Sequence, residues 1–180
     1  MYSPDSSFVV FCNKCWWSDS WTPLEQGRDY DFKRPFFHQF RELLSKVPLL
    51  ALHSFRAVNS HYCNFDDGYK DCYLSISGLS CENVRYTTRA SYCKDSMDLY
   101  IADKIERGYE NIYCYGSYNL FFSDHCKNCV DSAFLYDCRN CSNCFGCTNL
   151  RNKKYYIFNK PYSKEEYFSK SSSRYWQQLI

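Results

Sequence analysis

Glycine and proline are scarce in this sequence, and it has neither a long apolar run nor an excess of one charge. Only 6 glycines and 5 prolines occur in 180 residues, which argues against a disordered chain. The formal net charge of +2 favours neither a nucleic-acid nor an acidic partner. No stretch reaches the roughly 18 apolar residues of a membrane span, and the start, MYSPDSSFVVF, lacks the features of a signal peptide. We therefore expect a folded, soluble protein.

Cysteine and tyrosine are the residues present in excess. The 13 cysteines are an odd number, so a fully paired disulfide framework is impossible. Their proportion also lies below the roughly 8–10% that is typical of small disulfide scaffolds. We expect a reducing cytoplasmic location, where clustered cysteines are thiols or metal ligands.

The first cysteine pair has the spacing of a zinc knuckle. An apolar strand at 8–11 runs into Cys12-Asn-Lys-Cys15, and a two-residue spacer lets two thiolates face one metal ion. A structural zinc needs four ligands, so residues 1–30 would form only half of a zinc ribbon. The nearest candidates to complete the zinc site are His38, His53, His61 and Cys63. The alternative is a pair of buried thiols beneath Trp16 and Trp17.

Two helices are predicted, one on each side of the central region. Residues 31–48 have an apolar stripe at helical spacing, with Pro35 suited to the first turn and Pro48 ending the helix. At 161–180, Ser163-Lys-Glu-Glu166 is a capping box that opens a terminal helix. Because a solenoid needs its open ends covered, we expect both helices to cap the repeats between them.

Short repeated units fill residues 49–160. A small or apolar residue, a variable residue, an Asn or Asp and another small or apolar residue recur at spacings of 12, 12, 16, 17, 12 and 9, beginning at Tyr69, Cys81, Cys93, Tyr109, Cys126, Cys138 and Cys147. Asn and Asp suit corners because they tolerate the left-handed conformation, and Cys, Ser and Ala suit a narrow interior. Short β-forming segments lie between these units. The pattern predicts a mainly β protein, a right-handed parallel β-helix with stacked interior cysteines.

Metal sites are the alternative reading of the repeat cysteines. Cys126, Cys129, Cys138 and Cys141 have the two knuckles of a zinc site, although their spacer is short. The run Cys138, Cys141, Cys144 and Cys147 approaches an iron–sulfur motif, but it differs at the last spacing and no proline follows it. Either arrangement would make this a metal or redox protein.

Evidence for an enzyme is weak. His61 and Cys63 are two residues apart and could share a strand face, with Asp66 or Asp67 as the orienting acid of a thiol enzyme. His125 and Cys126 are adjacent, so they should point to opposite faces. No phosphate loop, dinucleotide fingerprint or HExxH motif is present.

Several motifs together resemble a known family. CNKCWWSDSW, GRDYDFKRPFFHQF and CRNCSNCFGCTNLRNKKYYIFNKPYSKEEY are similar to an uncharacterised family of Cys- and Tyr-rich hypothetical proteins from uncultured bacterial lineages. The resemblance covers nearly the whole chain and brings no established activity. It implies that an upstream Cys pair in longer members supplies the missing half of the zinc ribbon, and that Met1 here is an internal or artificial start.

A binding surface is the favoured use of such a shape. Tyrosines recur through the repeats, and a face lined with Tyr and Lys or Arg could stack sugars or bases. The alternative is that these rings form ladders that only stabilise the coils. Arg151, Lys153, Lys154 and Lys160 form a basic cluster. We expect a non-enzymatic, zinc-associated binding or scaffold module for a polysaccharide, nucleic acid or protein, with homo-oligomers through the solenoid ends or a shared zinc site.

Overall fold

The computed structural model describes residue 2 and residues 5–171, and it is mainly β. The chain divides into two compact units, Met1–Ser54 and Phe55–Ile180. Within the described residues no helix has the length and apolar character needed to cross a membrane.

The helices are α1 (Asn13–Trp16), a 3-10 helix (Pro23–Gln26), α2 (Phe36–Leu44) and α3 (Lys164–Ser171). The strands are β1 (Val10–Phe11), β2 (Leu49–Leu50), β3 (Ser54–Phe55), β4 (Asn64–Asp67), β5 (Ile76–Leu79), β6 (Glu82–Arg85), β7 (Thr88–Ser91), β8 (Lys94–Asp103), β9 (Glu106–Tyr115), β10 (Tyr118–Asp124), β11 (Val130–Ala133), β12 (Ser142–Phe145), β13 (Lys154–Ile157) and β14 (Lys160–Pro161).

The first unit contains a small parallel sheet and an aromatic cluster. Strands β1 and β2 pair in parallel. The Trp21 ring packs against Phe11 at 5.3 Å and Trp16 at 4.9 Å, and its indole N–H donates to the Trp16 carbonyl. Helix α1 begins directly after Cys12 and includes Cys15, so the predicted knuckle is itself a short helical turn that follows β1.

Helix α2 is shorter than the predicted 31–48 segment. It spans nine residues, and Pro35 occupies its N-cap position rather than its first turn. The buried Gln39 side chain bonds the Asp31 backbone N–H and carbonyl, both at 2.9 Å, and the Arg34 carbonyl at 3.0 Å. These bonds hold residues 31–34 against the helix as an irregular loop, which explains why the helix does not begin earlier.

The second unit is a β-solenoid of about 9 turns with one constant period. From Val58 to Ile157 every parallel partner lies 12 residues away in the chain, as in Asn64 with Ile76 and Tyr136 with Thr148. The motif spacings of 16, 17 and 9 are therefore not coil lengths. The motif recurs on different sides of a coil, so matches counted from different sides give unequal intervals.

Each coil has four sides of three residues. Every third residue from Arg56 to Phe158 has a positive φ, between 44° and 71°. Asn, Asp and Gly adopt this conformation at little cost, whereas a β-branched residue such as Ile101 does so only where its surroundings force it. The ladder supplies that force, because the N–H of a left-handed residue bonds a carbonyl in the preceding coil, as Asn83 bonds Lys70 at 2.9 Å. The predicted role of Asn and Asp at corners is confirmed.

The residue after each left-handed position points inward. From Cys63 to Cys147 every third residue is buried, apart from the half-buried Gly78. Eleven of these inward residues are cysteines, which confirms the predicted stack of interior thiols. The interior is so narrow that large side chains need glycine beside them. A Cβ on Gly78 would lie 2.2 Å from the Tyr69 hydroxyl and 1.9 Å from the Ala90 carbonyl oxygen.

Helix α3 is the last element of the described chain and lies on a side of the solenoid. As predicted, Ser163 and Glu166 form a capping box: the Ser163 Oγ accepts from the Glu166 N–H at 3.1 Å, and Glu166 accepts from the Ser163 N–H at 3.0 Å. The rings of Tyr167 and Phe168 pack on Tyr155 at 5.8 and 6.0 Å. The predicted tail beyond residue 171 lies outside the described residues.

Candidate functional site

One side of the solenoid is a long groove with a polar wall and an aromatic wall. Its floor consists of inward residues such as Cys72, Ser96 and Ser132. The polar wall, which we call the Asn/Asp column, consists of Asn59, Asp71, Asn83, Asp95, Arg107, Asn119, Asp131 and Asn143. The opposite wall, which we call the Tyr/Arg column, consists of His61, Tyr73, Arg85, Met97, Tyr109, Phe121 and Ala133. Members of each column are 12 residues apart, so the groove follows directly from the constant coil length.

Two cavities of about 430 and 420 Å³ lie along the open part of this groove. Both are lined by Asn83 and Arg85, so they adjoin. Arg85 and Arg107 are exposed and form no ion pair within the part of the chain that the structure describes. The cavities therefore offer unpaired guanidinium groups beside carboxylates and rings.

The Asn/Asp column is ordered by amide-to-carboxylate hydrogen bonds between successive coils. Asn59 donates to Asp71 at 2.9 Å, and Asn83 donates to Asp95 at 2.7 Å. Further along, Asn119 donates to Asp131 at 2.8 Å. Each bond occupies one carboxylate oxygen and leaves the other free to accept from a ligand.

Tyrosine rings lie in the Tyr/Arg column and directly beside it. Tyr73 packs edge to face with Tyr62 at 5.8 Å and with Tyr86 at 5.9 Å. Tyr73 remains 39% exposed, Tyr62 56% and Tyr86 49%. The two interpretations of the tyrosines, a stabilising ladder and a ligand-binding face, are therefore compatible. The rings pack on one another and still expose surface that a ligand could cover.

The far part of the same groove is occupied by helix α3. Tyr167 is only 4% exposed. Together with Phe168 and Ser171 it lines a cavity of about 500 Å³ whose other walls are groove residues, among them Asn119, Asp131 and Asn143. Helix α3 thus lies against the groove where the Tyr/Arg column has the small residue Ala133.

The predicted zinc ligands Cys12 and Cys15 are exposed and lie next to each other. Hydrogen bonds from the backbone N–H and thiol of Cys15 lower the pKa of Cys12, and the same contact raises the pKa of Cys15. Two adjacent accessible thiols suit half of a tetrahedral zinc site. Among the described residues, no three His, Cys, Asp or Glu side chains converge as a metal site requires. Of the suggested completing ligands, His38 is exposed on α2 and Cys63 is buried in the solenoid.

The alternative ligands Cys126, Cys129, Cys138 and Cys141 are inward and buried. Their thiols donate to backbone carbonyls, as Cys138 does to Tyr136 and Cys147 at 3.5 Å each. Burial raises the pKa of Cys138 to about 11 and also raises that of Cys141. Neutral thiols that already bond carbonyls are poor metal ligands, because a metal requires the thiolate. A zinc site or an iron–sulfur cluster at these cysteines stays a prediction.

Cys144 and Cys147, the remaining members of the iron–sulfur run, differ from their neighbours. A contact with the Cys144 thiol lowers the pKa of Cys147, and the contact with Cys147 raises the pKa of Cys144. The Cys147 sulfur also accepts from the Asn159 N–H at 3.5 Å. These contacts favour the thiolate of Cys147 over that of Cys144.

The suggested thiol-enzyme residues are separated by the three-residue period. Cys63 points inward, and burial raises the pKa of its thiol to about 11, whereas His61 is exposed in the groove. Asp66 is buried, and the Asp67 carboxylate pairs with Arg56. Two residues that are two positions apart share a face of a flat strand, but they do not share a face of a coil that turns every three residues.

The groove is the feature that sequence reasoning missed. The signal was present as a recurrence every three residues, which groups positions 12 apart into columns once the coil length is known. No protein-family model matches the chain, and no curated protein matches it. The site must therefore be interpreted from its own geometry.

Proposed function

We propose that this protein is a non-enzymatic binding module whose groove holds an aromatic segment of a partner protein. The observation that carries the proposal is helix α3, which occupies part of the groove with Tyr167 almost fully buried. The open part continues the same columns, although its wall carries Tyr73, Arg85 and Met97 where the part beside α3 has Ala133. An amphipathic helix with aromatic anchors laid into a groove is a recurrent mode of protein recognition.

The charges of the open groove suit a segment that resembles α3. The helix carries Glu165 and Glu166 in its first turn and Lys170 in its last. The open groove offers Arg85 and Arg107 to such acidic residues, and carboxylates of the Asn/Asp column to basic ones. Charged residues at the rim of an interface contribute orientation and specificity more than affinity.

A synthetic peptide with the sequence of residues 162–171 serves as the probe, titrated against the full chain by fluorescence anisotropy. We expect binding that weakens about tenfold in Arg85→Ala and in Tyr73→Ala, since about 1.4 kcal/mol corresponds to tenfold. The matched controls are Arg89→Ala and Tyr100→Ala, which remove exposed residues of the same types from other columns. Unchanged affinity in Arg85→Ala and Tyr73→Ala would mean that the peptide only displaces α3. That result would overturn the proposal.

A neutral polysaccharide is the second candidate for the same groove. The half-exposed rings of Tyr62, Tyr73 and Tyr86 could stack on sugar rings, and the free carboxylate oxygens could accept from hydroxyl groups. Titration with neutral oligosaccharides, with Tyr73→Ala as the test variant, distinguishes this candidate from a protein segment.

We further propose that Cys12 and Cys15 bind zinc, with the other ligands supplied by a second chain. Winding of the solenoid is proposed to be right-handed, because parallel crossovers almost always are. The capping roles of the segments at 31–48 and 161–180 stay predictions, and the location is proposed to be cytoplasmic. Elemental analysis tests the zinc: loss of metal in Cys12→Ser and Cys15→Ser, with retention in Cys138→Ala, would support this site.

A further inference from the structure

Two columns of charged residues on the solenoid surface differ in their pattern of charge. In the first, which we call the alternating column, Lys70, Glu82, Lys94 and Glu106 lie in register and alternate in sign. Glu82 pairs with Lys70 at 2.7 Å and with Lys94 at 3.8 Å. In the second, which we call the basic column, Lys127, Arg139 and Arg151 lie in register with the same sign. Like charges that are directly opposite destabilise a sheet, so the basic column needs compensation.

The compensation within the protein is incomplete. Asp137 pairs with Arg151 at 2.8 Å and lies 3.7 Å from Arg139, so one carboxylate serves two guanidinium groups. Lys127 forms no ion pair with any residue in the described part of the chain. Coils are about 4.8 Å apart, a distance at which like charges repel by about 1 kcal/mol even in water. An external anion along the column would relieve this repulsion.

Aromatic rings lie beside the basic column over the same coils. In four successive coils the inward residues Cys114, Cys126, Cys138 and Leu150 are followed by Tyr115, Lys127, Arg139 and Arg151, respectively. On the other side of these inward residues, the His125 ring packs on Tyr113 at 4.8 Å and on Tyr136 at 6.3 Å. Tyr115 and Tyr136 are 41% and 56% exposed. Two further carboxylates lie nearby: Asp124 lies 2.6 Å from the His125 ring nitrogen, and Asp103 is in register with Tyr115.

We propose that this face is a second binding site, separate from the groove, for single-stranded nucleic acid. Phosphates would lie along Lys127, Arg139 and Arg151, and bases would stack on the exposed rings of Tyr115 and Tyr136. Proteins that bind single strands combine a cationic track with aromatic platforms in this way. The in-register spacing presents one cation for each coil, which suits an extended chain with regularly repeated charges.

The test compares two double variants of the full chain that remove the same charge. Binding of labelled oligo-dT is measured by fluorescence anisotropy at several salt concentrations, with Lys127→Gln plus Arg139→Gln against Lys70→Gln plus Lys94→Gln from the alternating column. We expect the first pair to weaken binding at least tenfold and to reduce the slope of log affinity against log salt by about 1.4, since each phosphate contact contributes about 0.7. The second pair should change affinity less than twofold.

A third variant separates nucleic acid from a generic polyanion. Tyr115→Ser should weaken binding of oligo-dT several-fold and leave binding of an abasic strand of equal length unchanged. Equal losses in both double variants would show that only net charge matters and would overturn the site. Equal affinity for the abasic strand or an acidic polysaccharide would overturn the nucleic-acid assignment. All substituted side chains are exposed, and thermal unfolding followed by circular dichroism checks that each variant is folded.

Discussion

At the scale of single residues, the inward cysteines are packing groups that also satisfy the backbone. The single S–H of an inward cysteine lies within reach of a carbonyl two residues earlier and often of one nine residues later, and it is shared between them, as in Cys72 with Lys70 and Cys81. Inward serines use the same geometry: the Ser117 hydroxyl donates to the Tyr115 carbonyl and accepts from the Cys129 N–H. Small, weakly polar side chains are therefore suited to this interior for both volume and hydrogen bonding.

Burial of these thiols predicts a loss of stability at alkaline pH. Burial raises the folded-state pKa of Cys63 and of Cys138 to about 11, above the roughly 8.5 of an unfolded cysteine. Their contribution is complete below the unfolded pKa and is lost as pH rises through the folded one. We expect the free energy of unfolding, measured in urea with a reductant, to fall between roughly pH 8.5 and 11.

The variant Cys138→Ser tests the source of that loss. Serine fits the interior, so the variant should fold, and its alkaline loss should be smaller by about 2 to 3 kcal/mol at the highest pH. The control is Cys12→Ser, which changes an exposed thiol and should leave the alkaline loss in place. An identical pH profile for Cys138→Ser and the unmodified protein would contradict the assignment of the loss to this thiol.

At the scale of elements, α3 depends on its capping box and on the groove beneath it. The capping box supplies two hydrogen bonds at the helix N-terminus, and the burial of Tyr167 supplies the packing. A helix of eight residues is too short to be stable alone, so its order reports both contributions.

Replacement of Ser163 by Ala should loosen α3 without unfolding the solenoid. Loss of an N-cap side chain costs about 1 kcal/mol, which corresponds to amide exchange in α3 that is about fivefold faster. Hydrogen exchange measured by mass spectrometry follows the peptide that covers residues 164–171. Lys164→Ala, an exposed change in the same turn, is the control and should leave exchange nearly unchanged. Unaltered exchange in Ser163→Ala would show that the cap does not hold the helix.

At the scale of the whole molecule, the constant coil length makes the second unit a one-dimensional array. Each coil contacts its neighbours through partners 12 residues away, and no coil between Val58 and Ile157 departs from this rule. Such arrays tolerate changes in the number of repeats better than changes in the length of one repeat.

Deletion of residues 126–137 removes one complete coil and joins His125 to Cys138, an inward cysteine of the same column. We expect this variant to fold cooperatively, with a solenoid about 4.8 Å shorter by small-angle scattering. Deletion of Asn140 alone should instead unfold the coils around it, because every later inward residue would move to the wrong position. Equal stability of the two deletions would contradict the columnar description.

Much of the second unit could be predicted from the sequence because its rules are local. Asn, Asp and Gly at left-handed corners, small inward residues and the capping box at Ser163 each follow from neighbours within a few residues. The coil length was harder to predict, since the same short motif recurs on different sides. The predicted pairing of His61 with Cys63 depends on the alternation of a flat strand, which does not apply to a coil with three-residue sides.

By itself, the sequence determined the class of structure: a mainly β solenoid with interior thiols, left-handed corners and a capped terminal helix. Only the tertiary structure decided which side chains share a surface. The groove, the alternating column and the basic column each join residues 12, 24 or more positions apart, and α3 lies on residues that precede it by as many as 48 positions, as Tyr167 and Asn119 do. Such neighbours depend on the number of residues in each coil, and the balance of interior volume and backbone hydrogen bonding sets that number for the stack as a whole.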